Sequence, residues 1–125
     1  MPIKKNINHP ILKELQEVAD FTAKFLGINF NPTVNIRDQQ KGRTDSKTKS
    51  VIIPLWAINE GDVYAWAYTI HEVNHYACNN WGHSKSFKDK ERRVLAEFNL
   101  FPVYKKAYAC ELKSKSGQTI WKQYW

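Results

Sequence analysis

Apolar positions recur every three to four residues near the start of the chain. Ile11, Leu15, Val18, Thr22 and Phe25 fall on one stripe, with Leu12, Ala19 and Leu26 beside it. That period predicts an amphipathic helix. Asn8 or His9 can cap it, Pro10 sits where a first-turn proline is tolerated, and Gly27 terminates it. The period then changes to two. In PTVNIRD (residues 32–38), Val34 and Ile36 alternate with polar neighbours, and SVIIPLW (residues 50–56) reads as a second strand. Pro54 ends that strand or confines it to a sheet edge. The polar, basic stretch between them, residues 39–49, is expected to be a long mobile loop joining an antiparallel pair.

The helical period returns with Val63, Trp66, Ile70, Val73 and Ala77. Asn59 or Asp62 can cap this helix, which should end near Asn79 and Asn80, with Gly82 supplying a turn. A further helix follows, with Phe87, Val94, Leu95 and Phe98 inward, Ser86 and Asp89 as a cap pair, and Pro102 beyond its end. Residues from about 104 to 125 alternate as strands do, and predict a hairpin turning at Ser116-Gly117. The expected fold is a small α+β domain spanning residues 1–125: an N-terminal helix, a short antiparallel sheet, two central helices and a C-terminal β-hairpin.

Composition narrows the class. With 42% hydrophobic and 25% charged residues the chain is globular rather than disordered. No run approaches the ~18 apolar residues of a membrane span. The N-terminal MPIKKNINHPILKEL has no apolar core of a signal peptide. Cys78 and Cys110 are therefore expected to be reduced and packed, and the protein to be cytoplasmic; a phage or mobile-element origin gives the same picture.

Nineteen basic residues against twelve acidic ones leave a net charge of +7, which suggests an anionic partner, nucleic acid first. The excess concentrates in the C-terminal third, where Lys105, Lys106, Lys113, Lys115 and Lys122 are interleaved with Tyr104, Tyr108, Trp121, Tyr124 and Trp125. Such a surface can grip phosphates and stack on unpaired bases. Ordinary sheet packing is the preferred explanation for most of the aromatics.

Three of the four histidines lie between residues 71 and 83. His71-Glu72-Val73-Asn74-His75 has the form H-E-x-x-H, and on a helix residues four apart share a face. Two imidazoles so placed can bind one zinc ion, and the glutamate beside them is suited to deprotonate a zinc-bound water. A catalytic zinc takes a third protein ligand and keeps a position for water. His83, past the turn at Gly82, is the candidate third ligand.

The stretch TIHEVNHYACNNWGHSKSF (residues 69–87) resembles the SprT-like, or Spartan-type, zinc metallopeptidases, in which H-E-x-x-H is followed by G-H-x-x-x-F, here Gly82 to Phe87. The resemblance implies a zincin-like fold and one Zn2+ held by His71, His75 and His83. It also implies Glu72 as catalytic base, Phe87 as a core anchor and a protein or peptide substrate, in several members one bound to DNA. The Cys-rich zinc ribbon of many members of that family has no counterpart here, so the resemblance implies a minimal form. Ser50 to Leu55 is expected to be the edge that pairs with an extended peptide. Tyr64, Tyr68 and Tyr76 all stand as candidates to stabilise an oxyanion. Two other readings fit the residues: a basic nucleic-acid-binding module whose zinc site is structural or vestigial, and hydrolysis of a non-peptide bond.

Overall fold

In the computed structural model, which describes residues 5–78 and 84–97 apart from the side chain of Val63, the first helix, α1, spans Leu12–Leu26. The Nδ1 of His9 accepts from the Ile11 amide at 3.2 Å just ahead of the helix, but the N-cap is Ile11, without a side-chain bond, and neither Asn8 nor His9 caps the helix as expected. Gly27 adopts φ 76°, and the Ile28 amide returns to the Ala23 carbonyl at 2.8 Å. This is a Schellman end, which needs a residue tolerant of the left-handed region. Leu15, Val18, Ala19, Thr22 and Ala23 are buried. Phe25 is not inward as expected. It lies at the margin of the buried arc, 41% exposed, and stacks on Phe21.

The sheet has the order β1-β3-β2, with β1 at Thr33–Arg37, β2 at Arg43–Asp45 and β3 at Ser50–Pro54. β1 and β3 run parallel, which corrects the antiparallel pair expected from the sequence. The connecting residues 38–49 are long enough for a crossover, and they contain β2, which pairs antiparallel with β3. They are therefore not a structureless loop. β3 is buried along its whole length, as its unbroken Val51-Ile52-Ile53 run would require of a central strand. Pro54 ends it, yet Ser50 to Leu55 is not the sheet edge.

The two edges differ. On β1, the Ile36 carbonyl accepts from the Ile7 amide at 2.7 Å, and the Val34 amide donates to Gln16 Oε1 of α1 at 2.9 Å. That edge is covered. Among the described residues, no strand pairs with the outer edge of β2.

A short helix, α2 (Leu55–Asn59), follows Pro54 directly, and Gly61 at φ 135° leads into α3 (Asp62–Asn74). Neither Asn59 nor Asp62 is the N-cap; Gly61 is, without a side-chain bond. Ile70 and Val73 of α3 pack in one core with Leu15, Ile36, Ile53, Val94 and Leu95. Trp66 Nε1 donates to Glu14 Oε2 at 3.0 Å, tying α3 to α1. The last described helix, α4, spans Lys85–Glu97. Ser84, rather than the expected Ser86, caps it: its Oγ accepts from the Phe87 amide at 3.2 Å. The described residues thus form an α+β arrangement of four α-helices and a three-stranded sheet. None of these helices is long and apolar enough to cross a membrane. Phe98, Pro102 and the expected hairpin at 104–125 lie outside the described residues.

Candidate metal centre

The α-helix carrying His71 and Glu72 ends at Asn74, earlier than the sequence suggested, and His75 opens a 3-10 turn, His75–Ala77. The H-E-x-x-H residues therefore straddle a change of pitch. His71 and His75 still meet: their ring centroids are 5.2 Å apart and their planes stand edge-on at 89°. All three polar groups are sunk into the domain, with His71 2%, Glu72 6% and His75 9% exposed.

Two neighbours frame them. From α4, the fully buried Phe87 ring lies 5.1 Å from His71 and 4.7 Å from His75, centroid to centroid. The expected anchor thus contacts both imidazoles. Also from α4, both carboxylate oxygens of Glu91 sit 3.2 Å from His71 Nδ1. From β2, Thr44 donates to the Glu72 carbonyl at 2.7 Å and to Glu72 Oε1 at 2.9 Å. Asn74 Nδ2 donates to the Phe87 carbonyl at 2.8 Å, and Lys90 Nζ to the Ala77 carbonyl at 2.7 Å. These bonds staple α4 to the end of α3 and to the turn beyond it.

The electrostatics follow from burial and these contacts. Burial alone would push the His71 imidazole down. The charge and hydrogen bond of Glu91, with a further contribution from Glu72, outweigh it and hold His71 above its ordinary value. Burial raises the Glu72 carboxyl; His71 and the Thr44 hydroxyl oppose that rise and Glu91 adds to it. Burial likewise raises the Cys78 thiol, so this half-buried cysteine stays protonated, in keeping with a packing role. Cys110 lies outside the described residues.

The three candidate oxyanion donors are knit into the scaffold. Tyr76 donates to the carbonyls of Asp45 and, at 3.0 Å, of Ser50, clamping the β2–β3 hairpin; burial pushes its hydroxyl up to about 12. Tyr68 accepts from the Gly42 amide at 2.8 Å, and burial raises its hydroxyl further. Tyr64 is buried against Trp56.

His71, Glu72 and His75 thus come together, whereas His83 lies outside the described residues. Among the described residues no group of three His, Cys, Asp or Glu side chains is arranged to hold a metal. Two buried imidazoles meeting on one face do fit as half of a tetrahedral zinc site. Sequence reasoning missed Glu91 and Thr44. Glu91 carried a signal, because it interrupts the inward stripe Phe87, Val94, Leu95 with a carboxylate. Thr44 carried none. Comparison with protein-family models, with curated proteins and with solved structures gives no match to this chain.

Proposed function

We propose that the protein is a zinc-dependent metalloendopeptidase of SprT-like, zincin type. One observation carries this reading: two buried imidazoles four residues apart meet edge-on, with a buried glutamate between them in sequence held by a hydroxyl from the sheet edge. His71 and His75 would hold the ion, with His83 as the expected third ligand. When bound, zinc supplies a Lewis acid that polarises a peptide carbonyl and makes water acidic.

The chain's own residues supply the rest. Glu72 takes the proton of the attacking water at its carboxylate and passes it to the leaving amine. Thr44 keeps that carboxylate oriented. The outer edge of β2, one residue either side of Thr44, suits an extended polypeptide better than the central β3. Phe87 and the surrounding core exclude water from the back of the imidazoles.

Glu72→Gln tests the assignment. It should retain stoichiometric zinc and abolish cleavage of an unfolded protein substrate; undiminished cleavage removes Glu72 from the chemistry. Assays with and without DNA place the substrate class. Stoichiometric zinc with no cleavage in either favours the basic nucleic-acid-binding module instead.

A further inference from the structure

Glu91 is an expensive residue for its place. It sits on the inward face of α4, 1% exposed, in a stripe with Phe87, Val94 and Leu95 that are fully buried. A carboxylate removed from water costs several kcal/mol unless a partner compensates it. Leucine would fill the same stripe without that cost. What the carboxylate meets is His71 Nδ1, with both oxygens at 3.2 Å. The contact joins two helices, and the Asn74–Phe87 and Lys90–Ala77 bonds fix their register beside it. Glu91 is thus held on a rigid element against one candidate ligand, while Thr44 of the sheet holds Glu72.

We infer that Glu91 is the positioning residue of the metal centre: its carboxylate fixes the tautomer and ring orientation of His71 and supplies negative charge behind the ligand. A bond made through Nδ1 assigns the metal to Nε2 of the same ring. A carboxylate on the far nitrogen makes the imidazole a stronger donor, and loss of such a partner weakens metal binding about 10- to 100-fold. The inference rests on the metalloenzyme reading above and deepens it by dividing labour between two buried glutamates. Glu72 moves a proton; Glu91 moves none and holds a ligand.

The test is zinc affinity, by chelator competition, for the parent, Glu91→Gln and Glu91→Leu, with the absorption spectrum of the cobalt-loaded proteins as a second readout. Both variants should lose about 10- to 100-fold in zinc affinity and show an altered cobalt spectrum. Val94→Ala, from the same stripe, should lower the unfolding temperature and leave zinc affinity unchanged. Glu91→Leu keeps the experiment decisive if Glu91→Gln does not fold. Parent-like zinc affinity and cobalt spectrum in either folded variant overturn the positioning role and leave the metalloenzyme reading intact. A parent protein that binds no zinc overturns both.

Discussion

The hydroxyl of Thr44, on the edge strand, donates to both the carbonyl and the carboxylate of Glu72, at 2.7 and 2.9 Å. One proton shared between a helix end and a buried carboxylate makes the sheet edge and the candidate base a single unit. Thr44→Val removes the proton and keeps the shape. Because the bond favours the ionised carboxylate, its loss raises Glu72 further, and the acid limb of the pH profile of kcat/KM should move to higher pH. A hydrogen bond to a charged group contributes ~1.5–3 kcal/mol, so activity at neutral pH should fall about tenfold or more. Thr44→Ser should retain most of it. An acid limb that stays in place in Thr44→Val contradicts the coupling.

Gly42 shows how tightly the crossover is drawn onto α3. A Cβ there would overlap Tyr68 Cε1 and approach Cζ to 2.9 Å, at the residue whose amide donates to the Tyr68 hydroxyl. Gly42→Ala should therefore displace the ring and destabilise the protein by about 1–3 kcal/mol. Urea unfolding reads this as a lowered midpoint at unchanged slope. A midpoint equal to that of the parent would show that the crossover yields freely.

Phe87 touches both imidazoles and is fully buried. Phe87→Ala should cost about 3–5 kcal/mol, a large share of the ~5–15 kcal/mol typical of a domain. Phe87→Leu should cost less while still loosening the imidazoles, so thermal unfolding and zinc affinity measured together should both fall. A loss of stability with undiminished zinc affinity in the folded fraction would assign the ring to packing alone.

The buried groups also set a pH dependence for the metal-free protein. His71 and Glu72 both hold protons more tightly folded than unfolded. Their contributions are therefore fully present below the unfolded values, 6.5 for His71 and 4.5 for Glu72, and are lost as pH rises through the folded values. With chelator present, the unfolding temperature should carry a component that falls as pH rises above 6.5. Zinc bound at His71 would displace its proton, so the temperature increase on adding zinc should be larger at pH 8 than at pH 6. An increase independent of pH would mean that zinc binds without deprotonating His71.

α1, α3 and α4 were legible because each buries an apolar stripe at helical spacing, and Gly27 marks an end that only a left-handed residue makes easily; α2 was not, since Leu55 and Trp56 read as a continuation of the strand before them. β3 was legible as a strand, since Val51-Ile52-Ile53 has no polar member. The topology was not, because β2 is three polar residues, Arg43 to Asp45, and a short edge strand buries too little to leave a hydrophobic period. Missing it turned a parallel crossover into an apparent hairpin. In the site, His71, Glu72 and His75 are local in sequence, so spacing alone juxtaposes them. Thr44 and Glu91 reach Glu72 and His71 across 28 and 20 residues respectively, and only the fold makes those contacts.

We propose His71 and His75 as ligands of one catalytic metal. A crystal of the zinc-loaded protein, measured on either side of the zinc absorption edge, tests it directly. The expected result is a single anomalous peak within bonding distance of His71 Nε2 and of the His75 ring, with a third protein ligand and a water completing the shell. No peak between those two rings, or a peak held by other residues, would contradict it.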